Sequence, residues 1–410
     1  MRIARLAKKL LGVSRIRIGK VEAEDDGITI DVRPAWKRPR CGSCRRRAAG
    51  YDRQPARRWR HLAMGGTIFW LRYAPRRVEC RRCGVHTEAV SWASSLETRF
   101  TEAFEELVAY LARATDKTTV SELLGIAWRS VGSIVERVVE RRLDSHRLDD
   151  LVFIGIDEFS YRKRHHYLTV IVDHIERRIV WVGEGRSSET LARFFDELGP
   201  TRAAKIECIT MDMSAGYLKA VRERAPQAQV VFDRFHVQRL ASDAVDAVRR
   251  EQMRQLDDPA ERRALKRSRF ALLSNPWNLS RRQGEKLRQI ERHNRPLYRA
   301  YLLKETLARA LDYVQPKRAE RALGEWLAWA SRSRLRPFVR AARTIRQHRH
   351  GILAYISYRL TNGVVEGFNN RLRMVARRAF GFHGPKPLIA MLFLCCGGIA
   401  LHPALPRAAA

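Results

Sequence analysis

The sequence predicts a multidomain α/β protein in which two small N-terminal modules precede an α/β domain interrupted by an all-helical insertion. Three observations carry that prediction. Two C-x-x-C pairs, Cys41/Cys44 and Cys80/Cys83, flank a strand-rich stretch. The apolar spacing then turns helical from about 97 to 144. Between 149 and 236 follow three strand-like runs, a helical stretch, a strand, a second helical stretch and a fifth strand. These changes of texture set the expected boundaries: a strand segment over 1–35, a cysteine-rich module over 36–92 and a helical pair over 93–148. The first part of the α/β domain is expected over 149–239, a helical insertion over 240–348, and the last helices of the α/β domain over 349–410.

Charge narrows the function classes. The 410 residues carry 79 Lys+Arg against 44 Asp+Glu, a formal net charge of +35. With 45% hydrophobic residues the chain is no disordered polycation. Such a surplus calls for a polyanionic partner, with nucleic acid favoured and an anionic membrane surface as the rival. No apolar run approaches the roughly 20 residues needed to span a bilayer, which excludes an integral membrane protein. The longest apolar stretch, Leu388 to Ala400, reads as a buried helix. The basic N-terminus lacks a signal-peptide core. Seven cysteines, an odd number with four in C-x-x-C pairs, suit a metal site in a reducing cytoplasm better than a disulfide framework.

The elements follow in order. Ile28, Ile30 and Val32 alternate with polar neighbours, as in a strand. A C-x-x-C turn places two thiolates on one tight loop. Cys41, Cys44, Cys80 and Cys83 therefore supply a closed tetrahedral site for one structural zinc ion, with the hairpin Trp59 to Tyr73 bringing the two knuckles together. His61 and His86 read as surface residues. Arginines coat this zinc-ribbon-like module, and Arg57, Arg58, Arg81 and Arg82 are its candidate DNA contacts.

Phe104, Leu107, Val108 and Leu111 form a helical stripe, and a helix-turn-helix follows. Its first helix runs from Val120 to Leu124, and Gly125 permits the left-handed turn. Ser130 is the expected cap of a second helix with Val131, Ile134, Val135 and Val138 inside. Trp128, Arg129, Ser130 and Ser133 would lie at its exposed start, where base edges are read.

Leu151 to Asp157 is an apolar run ending in acid, the pattern of a buried strand with a carboxylate at its tip. Lys205 to Asp212 repeats the pattern, and Gln229 to Asp233 closes with Arg234-Phe235-His236. Three strands, helix, strand, helix, strand is the order of a ribonuclease-H-like domain, in which the first and fourth strands are neighbours. Asp157 and Asp212 are therefore expected to converge. Far downstream, Thr361-Asn-Gly-Val-Val-Glu366-Gly-Phe-Asn-Asn-Arg-Leu-Arg reads as a helix with Val365, Phe368, Leu372 and Val375 inside. Glu366, Asn370, Arg373 and Arg377 share another face. Three convergent carboxylates need cations, and oxygen ligands favour two magnesium or manganese ions, the arrangement that serves phosphodiester displacement. In the helical segment Trp277, Trp326 and Trp329 either stack on bases or fill a helical core.

Over nearly its whole length the sequence resembles DDE transposases of the bacterial ISL-three insertion-sequence family. The resemblance rests on CGSC…CRRC, the helix-turn-helix, GIDEFSYRKRHHYLTVIVD, the strand ending in Met-Asp212, VFDRFHV, and TNGVVEGFNNRLR with the segment after it. It implies Asp157, Asp212 and Glu366 as the metal-binding triad. Asp233 and His236 are implied as auxiliary groups matching a D-x-x-H signature, and Asp233 is an alternative to Asp212 in the triad. It also implies binding of terminal inverted repeats and target DNA by a homodimer or higher synaptic assembly, located with the nucleoid in a bacterial cytoplasm. A non-catalytic DNA-binding regulator and a structure-selective nuclease are the competing expectations.

Overall fold

A computed structural model describes residues 10–162, 166–358, 363–378 and 384–404, without the side chains of residues 162, 363–366, 369, 376 and 378. The described chain forms two compact units, one running to Asp144 and resuming at Met374, the other spanning Ser145–Arg373. No helix among the described residues is long and apolar enough to cross a membrane.

In the first unit, β1 (Ile16–Glu24) and β2 (Gly27–Pro34) form an antiparallel pair, and β3 (Ala49–Arg53) lies elsewhere. The strands β4 (Arg57–Arg60) and β5 (Phe69–Tyr73) then join β1 and β2 in one sheet of order β1-β2-β5-β4, with β2 and β5 parallel. The hairpin Trp59 to Tyr73 between the knuckles thus shares a sheet with the first 35 residues instead of serving only as a bridge. Burial explains why. Trp59 and Leu71 alternate inward beside Ile30 and Val32, and Trp92 meets Trp59 edge-on, ring centres 5.8 Å apart. On the same sheet Arg72 pairs with Glu22 and Asp31, and Arg58 with Glu24 and Asp26. A smaller sheet of β3, β6 (Arg76–Cys80) and β7 (Gly84–Thr87) carries the cysteines.

Three helices complete this part: α1 (Glu102–Ala114), α2 (Lys117–Leu124) and α3 (Trp128–Arg142). Thr101 and Asp116 cap the first two through their side chains. Gly125 takes φ 56°, the left-handed corner that the turn needs. Ser130 does not cap α3. The helix begins two residues earlier, after Ala127, and the Ser130 N–H already donates to Ala127 O at 2.8 Å, so Ser130 sits in the first turn. Buried Glu105 accepts from Arg137 and Arg141, tying α1 to α3. The helix Pro385–Cys396 belongs to this unit and packs on α1 and α3.

The second unit is built on β8 (Phe153–Arg162), β9 (His166–Asp173) and β10 (Arg178–Glu184). Then come α4 (Ser188–Leu198), the short α5 (Pro200–Ala203), β11 (Cys208–Met211), α6 (Ala215–Arg224) and β12 (Gln229–Phe232). The sheet order is β10-β9-β8-β11-β12, with β8, β11 and β12 parallel and β9 antiparallel to both neighbours. Asp157 is not at a strand tip as expected. Pairing with β9 carries β8 on through Asp157↔Val170 to Arg162↔His166. Only the neighbour on the other side, β11, stops early.

Every regular element from Arg234 to Gln347 is helical. The long α7 (Arg234–Arg254) leads to α8 (Pro259–Arg267), α9 (Arg269–Leu273), a 3₁₀ turn at Pro276–Asn278, and α10 (Arg281–His293). Three more helices follow: α11 (Arg295–Asp312), α12 (Pro316–Arg332) and α13 (Arg336–Gln347). Trp326 fills this core at 1% exposure and donates to Leu303 O at 2.7 Å, whereas Trp277 on the 3₁₀ turn is 74% exposed and Trp329 36%. The chain returns to the sheet through α14 (Arg349–Tyr358), which packs on β12. Gly351 permits that approach: a Cβ there would stand 2.5 Å from the Phe232 ring and 3.1 Å from Val230 O. Last comes α15 (Gly363–Arg378), in which Phe368, Leu372 and Val375 are buried.

Candidate functional site

The four cysteines meet as their spacing demands. β6 ends at Cys80, β7 starts one turn later, and Arg45 closes the first knuckle in a left-handed conformation, φ 62°. The sulfurs of Cys41, Cys44, Cys80 and Cys83 all lie within 4.8 Å of one another, with Cys44 and Cys80 3.6 Å apart. Tetrahedral zinc with bonds near 2.3 Å sets ligand sulfurs roughly 3.8 Å apart, so the quartet fits that ion. Backbone N–H groups of Arg82 and Cys83 favour the thiolate of Cys80 and lower its pKa to about 6. With two sulfurs buried and every corner taken by cysteine, such a site is structural.

Arg81 and Arg82 on the second knuckle are exposed and make no ion pair with any described residue. Arg57 lies over Trp59, its guanidinium carbon 5.1 Å from the ring centre. Arg58 is already engaged, bidentate to Asp26 at 3.1 and 2.8 Å and bonded to Glu24 at 2.7 Å. Arg60 turns to the helices: its guanidinium donates to Leu124 O at 2.5 Å and Gly125 O at 2.8 Å, completing the C-terminus of α2. His61 is buried rather than on the surface, bonded to Thr101 and Leu11 O, and burial lowers its pKa. At the start of α3, Arg129 and Ser133 are exposed, while Trp128 and Ser130 are half-buried. Lys117 lies 4.7 Å over the Trp128 ring.

The second site is an acidic sheet edge. Thr210 of β11 stands opposite Gly155 of β8, so two residues further on Asp212 draws level with Asp157. Met211 stands opposite Phe232, so one residue further on Asp212 is also level with Asp233. Three acids, one on β8 and one directly after each of β11 and β12, thus share one edge, each half-buried. Among the described residues only the cysteines bring three or more ligand atoms within 4.8 Å of one another, so these carboxylates stand farther apart. Asp212 accepts from the Ser214 N–H and Asp233 from the Phe235 N–H, which starts α7. His236, one turn into α7, bonds Asp233 at 3.0 Å, and that bond raises its pKa, with Asp157 and Asp212 adding. The backbone of α15 sets Glu366, Asn370 and Arg373 at one- and two-turn spacings. Asn370 and Arg373 are exposed, and the Glu366 side chain lies outside the described residues.

The edge holds groups that sequence reasoning missed. Glu158, the next residue after Asp157, alternates to the other face of β8 and pairs with Thr169 of β9. Burial, then the charges of Asp212 and Asp157, raise its pKa, and Arg186 opposes the shift. Buried Tyr217 of α6 shares a 2.8 Å hydrogen bond with the Thr169 hydroxyl, and burial pushes its pKa up to about 12. The Asp157-Glu158 doublet was a visible signal for Glu158. Arg186 had none, because it reaches the edge only when β10 lies in the sheet.

Residues 154–392 match a family described as transposase, of DDE type in the ISL3 group. Residues 98–139 match the helix-turn-helix domain of transposase family ISL3. The chain is 40% identical to the transposase for insertion sequence element IS1557 of Mycobacterium tuberculosis, across 99% of this chain and 98% of that protein. It is 31% identical to the transposase for insertion sequence element IS1001 of Bordetella parapertussis, across 92% and 94%.

Proposed function

Because the chain belongs to the transposase family ISL3, we propose that it binds the terminal inverted repeats of its insertion sequence, cleaves them and joins the freed ends to target DNA. The observation that carries this reading is the level placement of Asp157 and Asp212 on adjacent parallel strands of a sheet ordered β10-β9-β8-β11-β12. That order supports a ribonuclease-H-like catalytic domain, with α7 to α13 as a helical insertion before the Glu366 helix. The carboxylate oxygens at the edge suit hard divalent cations. Asp157, Asp212 and Glu366 would hold two magnesium or manganese ions, which when bound neutralise phosphate charge and activate the attacking oxygen.

The protein's own groups position the DNA. The Asp233 carboxylate binds and orients the His236 imidazole and favours its protonated form near the edge. Asn370 and Arg373 present an amide and a guanidinium on the exposed side of α15, to hold a phosphate beside Glu366. Arg129 and Ser133 read base edges from the start of α3, flanked by Trp128 and Ser130. Arg81 and Arg82 grip the backbone from a ribbon that zinc at Cys41, Cys44, Cys80 and Cys83 makes rigid, and Arg57 does so from β4 of the larger sheet. Arg58 contributes less, since Asp26 and Glu24 occupy its fork. Two element ends must be held together, so the working form is a homodimer or larger synaptic complex.

The test uses full-length protein and DNA bearing the element's ends. The Glu366→Gln variant should bind ends as tightly as wild type in gel shifts and fail to cleave them in magnesium. Retained cleavage would sink the assignment.

A further inference from the structure

We propose that Arg186 holds a phosphate of the DNA strand at the acidic edge, with Tyr167 and Glu158 as the groups that position it; the proposal rests on the transposase reading above. Arg186 follows β10 at the end of the sheet where Asp157, Asp212 and Asp233 lie. The backbone of Gly185, the residue before it, is pinned from two sides. The Gly185 N–H donates to Tyr167 O at 2.9 Å, and the Thr169 hydroxyl donates to Gly185 O at 2.8 Å. The guanidinium carbon lies 4.0 Å from the Tyr167 ring centre, a stack that fixes the plane of the fork. One nitrogen stands 3.6 Å from a Glu158 oxygen.

That distance is longer than at the arginines that close on a carboxylate. Arg58 meets Asp26 at 2.8 Å and Arg76 meets Glu88 at 2.7 Å, both at hydrogen-bond length. Arg186 is attracted to Glu158 without being closed on it. It keeps 48% of its side chain exposed, and a guanidinium carries five N–H donors in all. An edge lined by Asp157, Glu158 and Asp212 repels a phosphodiester. A permanent cation with a planar donor fork, stacked at that edge, offsets the repulsion and fixes the phosphate bidentately. Lysine supplies the charge without the stack or the fork.

Full-length protein would be assayed on end DNA carrying single neutral methylphosphonate linkages, scanned through the phosphates around the cut. Wild type should lose about a hundredfold in cleavage at one linkage, the size of a lost preorganised contact. The Arg186→Ala variant should lose a similar factor on unmodified DNA and nothing further at that linkage. Arg186→Lys and Tyr167→Leu should each lose about tenfold while keeping the same linkage dependence. Losses that multiply at every linkage, or Arg186→Ala cleaving like wild type, overturn the proposal. Should Arg186→Ala fail to fold, the Lys and Leu variants carry the same comparison. Wild-type cleavage of unmodified ends reports the transposase reading separately. If wild type binds ends without cutting, the linkage scan read as affinity still decides for or against the contact.

Discussion

The cysteine quartet and the acidic edge each gather ligands, yet one is closed and the other open. Four sulfurs on two knuckles lie within 4.8 Å of one another, and no corner is left for a substrate. At the edge, acids on β8 and just past β11 and β12 stand level but farther apart, with Glu158, Arg186 and His236 around them. Thiols can crowd before metal arrives because they are neutral when protonated, whereas ionised carboxylates at that spacing would repel. A structural site can therefore be complete within the fold, while a site for charged substrate needs space and cations to finish it.

Stripping the two kinds of metal should break the comparison most sharply. A strong zinc chelator should unfold the β3–β6–β7 ribbon and abolish end binding, since structural zinc supplies on the order of 10 kcal/mol of folding free energy. Zinc analysis with circular dichroism checks this. Withholding magnesium should leave fold and end binding intact and stop cleavage. Next in size, Asp157→Asn should lower cleavage about a thousandfold, roughly 4 kcal/mol of barrier, with unfolding unchanged. Single-turnover assays and denaturant titration read the two effects apart.

Smaller effects test what positions each site. Gly351→Ala forces a methyl against Phe232 and Val230 O and should cost about 3 kcal/mol in denaturant unfolding, because α14 must lift from β12. Arg60→Ala leaves the carbonyls of Leu124 and Gly125 without their donor. It should cost about 2 kcal/mol and weaken end binding more than cleavage of bound ends. Smallest is the His236 effect. Its pKa is raised in the fold above roughly 6.5, so the stabilisation from Asp233 is complete below that pH and fades as pH rises through the raised value. Asp233→Asn should bring the imidazole titration, followed by NMR, back toward 6.5.

Legibility in the sequence followed the same division. The quartet was plain because C-x-x-C pairs set two ligands on one turn, although β4 and β5 between them joined a different sheet. The edge was legible through the order of strands and helices and through acids ending apolar runs. The sequence did not show that β8 runs past Asp157, because that depends on β9 continuing to pair when β11 has stopped. Nor did it show which arginines are spent on carboxylates: Arg58 and Arg72 meet acids from strands more than thirty residues away in sequence. Trp326 and Trp277 look alike in a charged helical segment, and only packing makes one core and the other surface.

The central claim is that the working pair on the sheet is Asp157 with Asp212, and that Asp233 serves His236. The direct measurement is single-turnover cleavage of end DNA in magnesium by Asp212→Asn and Asp233→Asn, each first shown to bind ends as wild type does. Asp212→Asn should lose about a thousandfold and Asp233→Asn about tenfold. The reverse order, with Asp233→Asn inert and Asp212→Asn active, would contradict the account.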